Sequence, residues 1–222
     1  MALIPPRLRC GTRVGIPAVA TGARHTGGMT IWYGEHVADD SELRLCGDLS
    51  GKRVIELGIA PAHNSIAMAK AGAKAIALDT SADKIADLRV AAERAEVRVE
   101  CHHGDLADLG FAPSASVDLV VAAHSLHEVD DLPRLLRQVH RVLKPGTAFV
   151  VAITHPVAAM FDGNDPAVQR PYGSNNVSLS DLYMSFERSN FHLDSLHELN
   201  DTRARDPLTP KVLVVRARKQ GV

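Results

Sequence analysis

Two imidazoles and two carboxylates stand at positions from which this 222-residue chain could do chemistry. His124-Ser125-Leu126-His127-Glu128 sets two histidines directly after an apolar run. An imidazole with an ordinary pKa near 6.5 accepts protons at neutral pH, which makes His124 and His127 candidate general bases. The bland alternative is that the segment only closes over a bound ligand. Asp79 ends another apolar run, 23 residues after Glu56. A carboxylate there can accept hydrogen bonds from both hydroxyls of a ribose, or it can cap the next helix. Glu56-Leu57-Gly58-Ile59-Ala60-Pro61-Ala62 is a glycine-bearing turn of the kind that lets a strand-to-helix backbone approach a nucleotide, and NAD-binding folds use such turns too. No metal is expected. The His-x-x-His pair lacks a third ligand at a recognisable spacing, and His102 and His103 point to opposite faces if extended. Cys10, Cys46 and Cys101 are odd in number and show no Cys-x-x-Cys spacing, so neither a disulfide framework nor a zinc ribbon is written here.

These residues need elements to hold them, and the periodicity supplies an alternation. A helix is expected from Asp39 to about Gly47, a strand over 53–58, a helix from about His63 to Ala71, and a strand over 74–79. Ser81 caps a helix through about Arg94, and strands follow at 97–101 and 117–122. Leu132, Leu135, Leu136, Val139, Val142 and Leu143 form one apolar stripe, with Pro133 in the first turn and Lys144-Pro145-Gly146 as the stop. Next come a strand over 148–153, an irregular stretch from Thr154 to Asn176 long enough to form a lid, and a helix from Ser178 whose Leu179, Leu182, Tyr183 and Phe186 face one way. Strands over 192–199 and 212–217 read as an antiparallel hairpin. Such alternation predicts a parallel sheet covered on both faces, with chemistry at the carboxyl ends of its strands.

The turn at Glu56 resembles the first motif of class I S-adenosylmethionine-dependent methyltransferases, E/D-x-G-x-G-x-G, with Ala60 and Ala62 in place of the second and third glycines. Val117-Asp118-Leu119-Val120-Val121 and Arg141-Val142-Leu143-Lys144-Pro145-Gly146 are similar to the family's fourth-strand motif and its V-L-K-P-G-G turn. Gly104-Asp105-Leu106 resembles its adenine-contacting turn. The resemblance runs from about Trp32 to Lys219. It implies a Rossmann-like, doubly wound α/β fold: a mostly parallel seven-stranded sheet with a C-terminal antiparallel hairpin. It implies S-adenosyl-L-methionine as cofactor, contacted by Glu56, Gly58, Ala60, Asp79, Thr80, Asp105, Leu106 and His124. Asp105 would reach the adenine amine, and Leu106 would cover a ring face. It further implies in-line methyl transfer to a small organic acceptor. Ala60 is tolerated if its φ is negative, and Ala62 is expected to be less accommodating. Those alanines motivate one alternative, a catalytically silent binding protein. A NAD(P)-dependent oxidoreductase is the other.

Composition bounds the rest. Twenty-five basic against 26 acidic side chains give a net charge of −1, so no global field attracts nucleic acid or an anionic membrane. No apolar run reaches the roughly 18 residues a spanning helix needs, and the cysteine usage favours a reducing cytoplasm. Residues 1–28 carry Pro, Gly and Arg without periodicity and read as a disordered extension, so that Met29 would open one methyltransferase domain over 29–222. Asn176-Val177-Ser178 fits a glycosylation sequon, which a cytosolic chain never presents. Of the few aromatics, Trp32, Tyr33, Phe161 and Tyr172 lie in segments expected to cover an acceptor, or to pack those segments against the sheet.

Overall fold

The computed structural model describes residues 30–162, 167–173 and 177–221. The expected extension 1–28, Met29 as a start, Cys10 and Asn176 of the sequon lie outside the described residues. In chain order the elements are α1 (Asp40–Leu43), β1 (Arg53–Leu57), α2 (Asn64–Lys70), β2 (Lys74–Asp79), α3 (Ala82–Arg94), β3 (Val99–His103), β4 (Val117–Ala123), α4 (Leu132–Val142), β5 (Leu143–Thr154), α5 (Leu179–Arg188), β6 (Phe191–Leu199) and β7 (Val212–Lys219). Short 3-10 turns stand at Leu126–Glu128 and Ala158–Met160.

The seven strands form one sheet in the order β3-β2-β1-β4-β5-β7-β6. β1 to β5 run parallel, and β7 inserts antiparallel between β5 and β6. This is the mostly parallel seven-stranded α/β sheet with an antiparallel C-terminal hairpin that the sequence predicts. The two-residue period of the strands sorts the core into faces. Ile55, Leu57, Ile76, Leu78, Val120 and Phe149 pack with α4 and α5 on one side. Val54, Ala75, Leu119, Val121 and Val150 pack with Ile31, Tyr33 and Met68 on the other. Phe149, Phe186 and Phe191 meet with ring centroids 5.8 to 6.4 Å apart, which anchors α5 and β6 to the centre of the sheet. Among the described residues no helix is long and apolar enough to cross a membrane.

Several boundaries differ from expectation for local reasons. The helix expected over 39–47 is a single turn, because Asp40 Oδ1 accepts the amides of Leu45 (2.7 Å) and Cys46 (3.3 Å) and bends the chain at Arg44, whose φ is 52°. The third strand begins at Val99, not Val97, because the Val97 amide is still bonded to Ala92 O at the end of α3. α4 ends at Val142, and β5 starts immediately, Leu143 pairing with Val117. On α5, Leu182 and Phe186 are buried, but Tyr183 at the rim of the stripe is exposed.

Leu136, wholly buried on α4, tests the core on that face. Leu136→Ala is expected to lower the free energy of unfolding by about 2–5 kcal/mol in urea titrations.

Candidate functional site

Strand order reverses direction between β1 and β4, and in open parallel sheets that is where the carboxyl ends leave a crevice. Two cavities open there. The first, of about 430 Å³, is lined by Trp32, Gly58, Ile59, Ala60, Lys84 and Glu128 among others. The second, of about 440 Å³, is lined by His127, Ile153, Thr154, Phe161, Asp162 and Arg170 among others. His124 borders both.

The first cavity is shaped by two buried carboxylates that do not themselves line it. Glu56 accepts the amides of Ala60 (3.0 Å) and Asn64 (3.1 Å) on Oε1 and that of Ser65 (2.7 Å) on Oε2. Burial pushes its pKa up, and those N–H donors pull it back. Asp79 accepts the Ile59 amide on Oδ2 (2.7 Å) and the Ser81 amide on Oδ1 (2.7 Å). Both side chains therefore hold the turn after β1 in its shape. Lys84 Nζ lies 3.4 Å from Asp79 Oδ2 and 3.2 Å from Glu128 Oε1, so a lysine stands between the buried carboxylate and the mouth.

Gly58 is required twice over. Its φ is +70°, and a Cβ on it would fall 2.2 Å from the Cβ of Ser125, whose hydroxyl donates to Leu57 O. That contact joins the turn after β1 to the segment after β4. The same segment puts His124 at φ +58°, a strained setting for an imidazole residue, with its amide on Ala152 O at 2.7 Å. Its Nε2 lies 2.7 Å from Tyr33 O. A carbonyl only accepts, so Nε2 carries the proton and Nδ1 bears the lone pair. Burial lowers the His124 pKa from its ordinary value, and the bond to Tyr33 O works the other way. His127 is exposed on the 3-10 turn, with Nε2 4.0 Å from Glu128.

Residues 55–151 match the family described as "Methyltransferase domain". A probable S-adenosylmethionine-dependent methyltransferase of Mycolicibacterium smegmatis is 26% identical over 78% of this chain and 65% of its own length. A cypemycin N-terminal methyltransferase of a Streptomyces species is 29% identical over 68% of this chain and 58% of its own. The chain thus spans less than two thirds of the length of these relatives. An S-adenosylmethionine-dependent methyltransferase crystal structure from Mesorhizobium loti superposes with a TM-score of 0.67, at 24% identity, over 80% of this chain and 95% of that one. Together these matches, with the family model covering residues 55–151, support a class I S-adenosylmethionine-dependent methyltransferase.

The family's cofactor suits what lines the first cavity. Its volume falls in the usual range for small-ligand sites. Glu128 and Asp87 offer acceptors for hydroxyl and ammonium groups, and Trp32 offers an indole face to a cationic sulfur. Of the residues that the methyltransferase resemblance singles out, Gly58, Ala60 and His124 line this cavity. Glu56 and Asp79 support it from behind. Thr80 is exposed, its carbonyl bonded to His103 Nε2. Asp105 forms an Asx turn to the Ala107 amide and an ion pair with Arg134, while Leu106 is buried in the core rather than set against the cavity. Of the aromatics, Trp32 and Phe161 line cavities. The Tyr33 side chain is buried and donates to Asp40, and Tyr172 accepts the Leu179 amide. Among the described residues no cluster could hold a metal ion.

Neither Ala60 nor Ala62 has a positive φ, and Ala62 is exposed, so the strain expected at Ala62 is absent from the methyltransferase turn. Sequence reasoning missed Asn64, Lys84, Ser125 and Glu128. For Asn64 a signal existed, an amide side chain at the start of an otherwise apolar helix. The others act through tertiary contacts.

The turn yields a paired prediction. Gly58→Ala, forced to a left-handed backbone and into Ser125, is expected to destabilise the protein by about 2–4 kcal/mol. Ala60→Gly should change stability by less than about 1 kcal/mol. Chemical unfolding of the two variants beside the wild type measures both.

Proposed function

We propose that this chain transfers a methyl group from S-adenosylmethionine, held in the first cavity, to a small organic acceptor held in the second. The observation that carries the reading is the single imidazole shared by the two cavities. A donor and an acceptor lodged on its two sides would be held close, and in-line displacement gains chiefly from proximity and orientation. The cofactor supplies an activated methyl on a positively charged sulfur. The rest falls to the chain's own residues.

Gly58, Ile59 and Ala60 present backbone to the first cavity, and Asp79 and Glu56 keep that backbone in place. Asp79 is assigned to the ribose hydroxyls, which requires the Lys84 ammonium to withdraw from it. Asp105 and Leu106 are assigned to the adenine end, Asp105 by its exposed carboxylate and Leu106 by fixing the turn from the core. His124 is the proposed base. Its depressed pKa keeps it neutral near pH 7, and its bare Nδ1 can take the proton from an acceptor O–H or N–H. The exposed His127 is the weaker candidate, because its ring faces solvent with only the Glu128 carboxylate, 4.0 Å away, beside it among the described residues. Ile153, Ala158 and Phe161 give the second cavity an apolar floor, while Asp162 and Arg170 pair at its edge. Its size fits one small acceptor. The net charge of −1 fits a small acceptor better than a polyanion.

Calorimetry with S-adenosylhomocysteine and with NAD separates this reading from its rivals. The expected result is binding of the first and not the second. NAD binding alone would favour an oxidoreductase, and failure of both adenosyl ligands to bind would favour a silent protein. With an acceptor that must lose a proton, His124→Gln is expected to lower kcat by about 10²–10⁴-fold with little change in the KM for the cofactor, and His127→Gln to leave kcat near wild type.

A further inference from the structure

The chain from Ile31 to His36 crosses the carboxyl end of the sheet as a strap. Lys211 Nζ donates to Glu35 O (2.8 Å) and the Thr202 amide to His36 O (2.8 Å), which ties its far end to the β6–β7 connection. Its near end is held by the Asp40 amide, which donates to Ile31 O (3.0 Å), and by one side chain. Asn64, fully buried at the start of α2, accepts the Trp32 amide on Oδ1 at 2.7 Å and donates from Nδ2 to Trp32 O at 3.0 Å. Both polar ends of a buried amide are thus committed to the backbone of a single residue. The next carbonyl along the strap, that of Tyr33, is the one that receives His124 Nε2. Gly34 follows, and a Cβ there would lie 3.3 Å from His124 Nε2 and 2.9 Å from Val212, so the strap is pressed onto the imidazole.

We propose that Asn64 is a positioning residue: through the backbone of Trp32 and Tyr33 it holds His124 with its proton on Nε2 and leaves Nδ1 as the nitrogen that accepts a proton. The purpose assigned to His124 rests on the methyltransferase reading. The positioning itself does not, since it is a property of the free protein.

Release of the strap has a definite sign. Burial is the larger influence on His124 and the bond to Tyr33 O the smaller. Letting water reach the ring therefore moves its pKa up, toward 6.5. His127 on its own segment and Lys211 from the β6–β7 connection both oppose its protonation. Across the first cavity stand Lys84, Glu128, Asp87 and His63, and across the second the Asp162–Arg170 pair. None of these belongs to the strap, so removing the Asn64 side chain leaves their charges in place.

Trp32 is the only tryptophan in the chain, and its ring centroid lies 5.6 Å from that of His124. A protonated imidazole quenches a neighbouring excited indole more strongly than a neutral one does. Trp32 emission of the free full-length protein therefore reports the charge on His124. In the wild type it is expected to fall on acidification with a midpoint below 6.5, and His124→Gln should abolish that step. In Asn64→Ala the midpoint should move upward and the emission maximum to the red. A merely structural Asn64 would lower the thermal midpoint of unfolding and leave the fluorescence midpoint where it was, and that result would overturn the proposal. Should Asn64→Ala fail to fold, ¹⁵N imidazole resonances of the wild type decide: protonation of His124 on Nε2 supports the proposal, and protonation on Nδ1 or an even mixture defeats it. Absence of S-adenosylhomocysteine binding would sink the methyltransferase reading and leave these outcomes standing.

Discussion

A carboxylate taken out of water costs several kcal/mol unless N–H donors replace its hydration, and Glu56 meets that requirement with three backbone amides, one from the turn after β1 and two from the start of α2. To deliver the amides of Ala60, Asn64 and Ser65 to a single side chain, the chain after β1 must curl around it. The curl decides where α2 begins. His63 takes the left-handed conformation at the helix entrance, with φ 53°, and its own side chain makes no capping bond. Glu56 does the work of a cap from the preceding strand, since its oxygens accept the amides of Asn64 and Ser65 in the first turn. Asn64 is thereby placed so that its side chain meets the strap, and the strap meets His124. A single buried carboxyl group on β1 is in this way connected to the wall between two cavities.

The sheet supplies the other half of that wall. β4 and β5 are parallel neighbours, so β4 ends beside Ala152, whose carbonyl takes the His124 amide. Holding a non-glycine residue at positive φ costs on the order of 1–3 kcal/mol. Two hydrogen bonds, one from the His124 backbone and one from its ring, offset that at about 1 kcal/mol each. Strain at this residue is therefore affordable only while strap and sheet are both in place. β7 contributes indirectly, because Val212 at its start is the surface against which Gly34 is pressed.

The alternation of apolar runs is legible in sequence because burial on both faces leaves strands such as 117–122 almost without polar residues, and because α4 shows a clean helical stripe. Boundaries were less legible wherever a side chain competed for backbone amides. Asp40 took two of them and cut a helix to one turn. The residues of the first cavity divide in the same manner. Gly58 and His124 were readable from their place after a strand. Asn64, Ser125, Lys84 and Glu128 were not, since each acts on a partner distant in sequence: Asn64 on Trp32, Ser125 on Leu57, and Lys84 on Glu128. Tyr33 shows the limit of residue types altogether. Its side chain is buried away from the site, and it serves through a carbonyl that any residue possesses.

The degenerate glycine motif follows from the same division of labour. A glycine loop can owe its shape to freedom of the backbone, or to groups that grip it from outside. Here Glu56 grips the Ala60 amide and Asp79 grips the Ile59 amide, so the path between them is set by the two carboxylates. Methyl groups at Ala60 and Ala62 are compatible with that path because neither residue needs a positive φ. Gly58 alone keeps the requirement, through its own φ of +70° and because Ser125, arriving from the end of β4, occupies the space a side chain would fill. The one glycine that remains is therefore the one at which two separate chain segments touch. A second glycine would add flexibility to a turn already held at both ends.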